Sequence, residues 1–93
     1  MDHKTSTIII EKTDNYTVFF FSSYPGYFSD FFDEKFSYQI TVLIGQVRVI
    51  SNGKNNEKYL LQKNFIEIER GEKFKFQNIS SGSMKLLIIK YYY

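Results

Sequence analysis

The sequence predicts a single all-β domain, and three observations predict it. No stretch sustains a helical period; short alternating or wholly apolar runs are broken instead by Gly, Asn, Asp and Ser. Aromatic residues make up 19% of the chain, ten Phe and eight Tyr, against one proline, which suits strands packed on a large apolar core. Its 93 residues suffice for one such core, covering 1–93 as one domain. A chain of this size buries about 60–65% of the surface its unfolded form exposes.

Taken in order, the expected strands are residues 6–12, 16–22, 26–32, 36–44, 47–51, 58–62, 65–69, 73–79 and 84–92. Their breaks are "KTDN", "SSYPG", "FDEK", "GQ", "NGKNNE", "KN", "RGE" and "SSGS", rich in residues that tolerate turns. In "YQITVLIGQVRVI" a two-residue Gly45-Gln46 loop fits a type II′ hairpin, because glycine tolerates positive φ at its first central position. That register opposes Ile44 to Val47 and Val42 to Val49. It puts Ile40, Val42, Ile44, Val47 and Val49 on a core face, and leaves Leu43 and Ile50 among polar residues on the other. A second hairpin is expected at Arg70-Gly71-Glu72, opposing Ile68 to Phe74 and Ile66 to Phe76, with Glu69 meeting Lys73 and Glu67 meeting Lys75 outside. "NGKNNEK" reads as a polar hairpin loop turning at Asn52-Gly53, or as an anion-binding tip through Lys54 and Lys58. "STIII" and "MKLLIIK" are apolar on both faces, so both should be covered on both sides, the second cover being another subunit. The closing "KYYY" points the same way, with Tyr91 or Tyr93 expected in a subunit contact.

Composition also excludes function classes. Without cysteine there is no disulfide framework and no thiol chemistry. Twelve basic residues against ten acidic ones are scattered rather than clustered, so nucleic acid is not an expected partner. The N-terminal "MDHKTSTIIIEKTD" is too weakly apolar for a signal-peptide core or a membrane span, which predicts a cytoplasmic protein with no membrane partner. On the same reading the sequons at Asn15 and Asn78 occur by chance. One histidine and no cysteine leave few nucleophile or triad arrangements, and no Gly-rich phosphate loop is present.

In "GEKFKFQN", Gly71, Phe74 and Asn78 keep the glycine, histidine and asparagine spacing of a second cupin motif, and "VLIGQVRV" resembles the segment that closes the first. With the order of strands, these residues make 32–78 similar to the cupin superfamily. The resemblance implies a small double-stranded β-helix barrel, or jelly roll. In metal-binding cupins the first motif carries two histidines and a glutamate ahead of the glycine matched here by Gly45. Counting back, their places fall at Phe32, Glu34 and Tyr38, and the second-motif histidine's place is Phe74. The motif's proline is replaced by Glu69 and its first glycine by Lys63. A zinc or transition-metal site needs three or more N, O or S donors converging at about 2 Å. Phe, Glu, Tyr and Phe cannot supply them, and His3 lies near the chain end, so neither metal nor other cofactor is expected.

What remains is the pocket. Phe32, Tyr38, Phe74 and Phe76 either fill the barrel or line a dry cavity. In the second case Glu34, the Tyr38 hydroxyl and Asn78 would be the polar groups around a base, sugar or aromatic acid. "DFFDEKF" is likewise either a loop of solvated charges, Asp30 and Asp33 among them, or a pocket lip with Glu34 pointing in. The leading expectation is a metal-free, homodimeric cupin-type binding module for a small cyclic or aromatic ligand or a partner segment, similar to the ligand-sensing halves of arabinose-regulator type transcription factors. Two alternatives stand beside it. "ITVLIGQVRV" followed by "NFIEIERGEKF" also resembles the small cupin-fold pyrimidine/purine nucleoside phosphorylases, without their Pro-Gly-Glu-Tyr-type segment between Gly26 and Phe36. The other alternative is a viral or accessory scaffold for protein contact.

Overall fold

A computed structural model describes residues 4–51 and 56–92. Eight strands follow in order: β1 (Ser6–Lys12), β2 (Tyr16–Ser23), β3 (Ser37–Ile44), β4 (Val47–Ser51), β5 (Asn56–Leu60), β6 (Phe65–Ile68), β7 (Phe74–Asn78) and β8 (Met84–Tyr91). They form two antiparallel sheets, one of five strands in the order β1-β2-β8-β3-β6 and one of three in the order β5-β4-β7. From β3 onward the chain passes repeatedly between the sheets, which gives the all-β jelly roll that the motifs imply. No helix among the described residues is long and apolar enough to cross a membrane. His3, Asn52, Gly53, Lys54 and Tyr93 lie outside the described residues.

The alternation read from the sequence sets which side chains meet between the sheets. Ile40 and Val42 of β3, Val47 and Val49 of β4, Phe74 and Phe76 of β7, and Met84, Leu86 and Ile88 of β8 are all buried in one core. Successive strand residues point to opposite faces. Register extends this inner face across β2, where Phe19 stands beside Ile88 and Phe21 beside Leu86, and onto β1, where Ile9 stands beside Phe19 and Thr7 beside Phe21.

Both expected hairpins are absent. β3 pairs with β6 and β8, whereas β4 pairs with β5 and β7, so Gly45-Gln46 carries the chain from one sheet to the other. Gly45 keeps the positive φ expected of it, at 92°, and a Cβ there would stand 2.5 Å from the Ser80 Oγ. Ser80 pins this corner: its Oγ accepts the Gln46 N–H at 2.8 Å and donates to the Gln46 carbonyl at 3.2 Å. Ile44, expected inside, is 53% exposed at the corner. Leu43 and Ile50 belong to different sheets and cannot form the single outer face a hairpin would give them.

Arg70-Gly71-Glu72 behaves alike, because β6 and β7 also lie in different sheets. Gly71, at φ 93°, donates its N–H to the Glu34 carbonyl at 2.8 Å, and the Lys73 ammonium lies 4.0 Å from the Glu34 carboxylate. Lys75 stands over the rings of Phe28 and Phe31, 4.6 and 4.7 Å from their centroids. The outer charge pairs of the expected hairpin are therefore replaced.

Residues 26–32 form no named strand. They run beside β7 through one isolated bridge, Phe28 to Gln77, and irregular backbone bonds. Gly26 and Ser29 donate to the Asn78 and Phe76 carbonyls, and Phe32 donates to Phe74 at 2.8 Å. The Ser29 hydroxyl accepts the Phe76 N–H, taking the place of a backbone carbonyl in the ladder. β1, expected to be covered on both faces, is exposed along its whole length within the single chain.

Candidate functional site at the open end of the barrel

Four of the six sequence-predicted site residues come together. Phe32 stacks on Phe74 with ring centroids 4.5 Å apart and planes 22° apart, and meets Phe76 at 5.5 Å. Tyr38 closes the group edge-on to both, 5.3 Å from Phe32 and 5.1 Å from Phe74. Strand alternation brings Tyr38, Phe74 and Phe76 inward from β3 and β7, and the bond from Phe32 N–H to the Phe74 carbonyl lays residues 26–32 across them. Phe74 has no accessible surface and Phe76 almost none, so the middle of the barrel is filled by side chains.

Glu34 and Asn78 stand elsewhere. The Glu34 side chain is exposed and turned to Lys73 rather than inward. The loop holds it there: the Asp33 carboxylate accepts the Lys35 N–H at 2.9 Å, while the Asp33 carbonyl accepts the Tyr38 hydroxyl at 3.1 Å. "DFFDEKF" is thus a loop of solvated charges around anchoring aromatics. Asn78 is buried at the opposite end of the barrel. Its amide donates to the carbonyls of Tyr24 at 2.8 Å and Gly82 at 3.2 Å, and its carbonyl accepts the Ser80 N–H. Its polar atoms are engaged by the fold and hold two loops together.

Two hollows flank the Phe32–Tyr38 wall and share Lys90. One, of about 260 Å³, is bounded by Thr7, Ile9 and Lys12 of β1, Thr17 and Phe19 of β2, and Tyr92. The other, of about 320 Å³, is bounded by Phe21, Tyr27, Ser29, Phe31 and Phe76, with Asp30 and Asp33. The smaller opens beside β1, which is exposed along its whole length, and the larger beside residues 26–32, which lie along β7 without forming a strand. The sequence signal for these residues is the alternation Thr17, Phe19, Phe21, Ser23 in β2. Lys90 continues the inward row of Met84, Leu86 and Ile88, but β8 is apolar at both phases and conceals its face.

At the metal-ligand positions of the cupin motifs, the three residues that meet are Phe32, Tyr38 and Phe74. They offer one phenol and no imidazole, thiolate or carboxylate, and do not fit a metal ion. Nor do any three His, Cys, Asp or Glu side chains gather to hold one among the described residues.

Burial of Tyr38, with the charge of Asp33 beside it, pushes its phenol up to about 12 from an ordinary value near 10. A group whose folded-state value is raised contributes stability that is present below its unfolded value and lost as pH rises through the folded one. Between about pH 10 and 12 the protein is therefore expected to lose about 2 kcal/mol through this residue. Denaturation midpoints measured across that window check it. Tyr38→Phe should flatten the alkaline loss, and an unchanged pH profile in that variant would assign the loss to other groups.

No protein-family model and no curated protein matches the chain. Solved structures do. The cupin domain of Schizosaccharomyces pombe Cnp3 superposes with a TM-score of 0.86 at 13% identity, over 98% of this chain and 63% of that one. A cupin family protein with a double-stranded β-helix fold from Methanocaldococcus jannaschii gives 0.83 at 11% identity, covering 97% and 82%. A cupin-superfamily sugar phosphate isomerase from Silicibacter pomeroyi gives 0.79 at 13% identity, covering 94% and 59%. This chain thus spans under two thirds of the first and third of these. Likeness at such identities is likeness of fold, and it agrees with the motif spacing and with the two-sheet topology: the chain has a cupin-type fold, a double-stranded β-helix.

Proposed function

We propose that this domain is a metal-free binding module whose open end takes a small cyclic or aromatic ligand, and that it works as a homodimer. The observation that supports the ligand is the Phe32–Tyr38 wall, half exposed at Phe32, with a hollow on each side. An apolar, largely preformed recess with a few polar groups at its rim is the usual form of a small-molecule site. The ligand rests against the aromatic wall and does not enter the barrel centre, which Phe74 fills. Isomerisation of sugar phosphates, the activity in the name of the Silicibacter relative, is not carried over, because nothing in this chain matches that protein beyond fold.

Thermal-shift screening of nucleosides, sugars and aromatic acids, with and without prior chelation, tests the reading. A ligand that binds only the folded state raises its apparent stability by mass action, by about 2.7 kcal/mol at a hundred times its Kd. We expect a shift from at least one ring compound, unchanged by the chelator. A shift lost on chelation would make the site metal-dependent. Cleavage of a nucleoside in phosphate buffer would favour the phosphorylase alternative, and a panel without any shift would move function to the outer surface.

A further inference from the structure

The two hollows have opposite electrostatic characters, although a single aromatic wall divides them. Asp30 and Asp33 line the larger one together with the shared Lys90, so its carboxylates outnumber its cation. The smaller is lined by Lys12, Lys90, two threonines and the Tyr92 hydroxyl, and by no carboxylate. Glu11, next to Lys12 in sequence, pairs with Val18, whereas Lys12 pairs with the inward Thr17; a register shift after Ile9 brings this about. The bulge thus turns the lysine toward the hollow and the glutamate to the other face of the sheet. Lys90 is held over the rings of Phe36 and Tyr92, 4.2 and 5.7 Å from their centroids, and no ion pair to it or to Lys12 occurs among the described residues. Thr17 is nearly fully buried and its hydroxyl bonds to that of Tyr92, which fixes the tyrosine as part of the wall.

We propose that the smaller hollow takes a one-ring organic anion, with the ring against Ile9, Phe19, Phe32 and Tyr38 and the carboxylate or phosphate between Lys12 and Lys90. Lys12 and Lys90 both border this recess and no carboxylate lines it, although Lys90 also borders the larger hollow; an anion between the two ammonium groups relieves their repulsion while gaining charge-assisted hydrogen bonds. The volume of about 260 Å³ limits the ring to a small one, since drug-sized ligands occupy pockets of about 300–1,000 Å³. This inference rests on the binding-module reading and adds the charge of the ligand to it.

Matched pairs separate the two. Benzoate and phenyl phosphate carry the anion in its two forms, and benzamide is the neutral counterpart of benzoate. Titration calorimetry at low salt should give benzoate or phenyl phosphate an affinity about tenfold or more above benzamide, a gap of about 1.4 kcal/mol. The gap should narrow as salt is raised. Lys12→Gln, at an exposed strand position where folding is not at stake, and Lys90→Gln should each lower anion affinity about tenfold and leave benzamide unchanged. If benzamide binds as well as both anions, or if neither lysine variant weakens the anions, the charge inference is overturned while the binding module stands. If nucleosides and sugars bind but none of the three benzene derivatives does, the inference is overturned in its ring as well. If nothing binds, both readings fall together.

Discussion

Replacing Phe74 with alanine is expected to cost about 3–5 kcal/mol, as for other buried Phe→Ala changes. The side chain has no accessible surface, stacks on Phe32 at 4.5 Å and meets Tyr38 edge-on. Truncation would leave an apolar void at the centre of the barrel and remove the support on which residues 26–32 rest. Against a total stability of about 5–15 kcal/mol for a domain of this kind, the loss is a large share. Each kcal/mol lowers Tm by about 4–8 °C at this size. Phe74→Leu, which keeps most of the volume, should cost about 1.5 kcal/mol or less. Urea unfolding of the two variants checks both values. A loss below about 1 kcal/mol for alanine, together with weaker ligand binding, would mean that Phe74 borders an open pocket and that the middle of the barrel is not filled.

Phe74 also marks how far the sequence could be read. Motif spacing placed Phe32, Tyr38 and Phe74 at the same depth, and their rings do meet, because each spacing is a count along strands whose alternation is fixed. Lys63, standing where the motif has a glycine, takes the left-handed φ of 74° that the glycine would accept at less cost. Pairing between strands was not legible. A glycine with positive φ serves a hairpin or a corner between sheets equally well, and what decides between them is Ser80, 34 residues from Gln46. Opposite charges at Glu69 and Lys73 fitted a local ladder, yet Lys73 is met by Glu34 from a distant loop. For the site, side-chain direction in irregular segments was the missing information. Motif count put Glu34 at a ligand position and left open whether it points in or lies in a solvated loop; the turn closed by the Asp33 carboxylate faces it outward, toward Lys73. Lys12 escaped for a related reason, since only the bulge after Ile9 puts it on the inner face.

Leu87→Asp is expected to turn the proposed homodimer into a folded monomer. Register aligns Ile8, Phe20, Leu87, Thr41 and Phe65 in one row across the five-stranded sheet, on the face turned away from the core. Val18 and Ile89 form a second apolar pair beside them. Ile8 and Phe65, at the two ends of the row, are 59% and 58% exposed, and Phe20, Val18, Leu87 and Ile89 are half-buried within the single chain. An apolar band that wide on a strand-built face is unusual for a surface in contact with water. In the proposed homodimer a second copy would cover it, because a two-fold contact sets the same patch against itself. Leu87 is at the middle of the row, on the central strand of the sheet. A carboxylate there faces water in the monomer, where it costs little, but would be buried without a partner in the dimer, at about 3–5 kcal/mol. That raises the dimer Kd by more than about a hundredfold. Sedimentation of the wild-type protein at micromolar concentration should give a species near twice 11.1 kDa. The variant should sediment as a monomer with its strand content retained. A wild-type monomer at that concentration would remove the dimer altogether, and a Leu87→Asp protein that still sediments as a dimer would move the contact to another face.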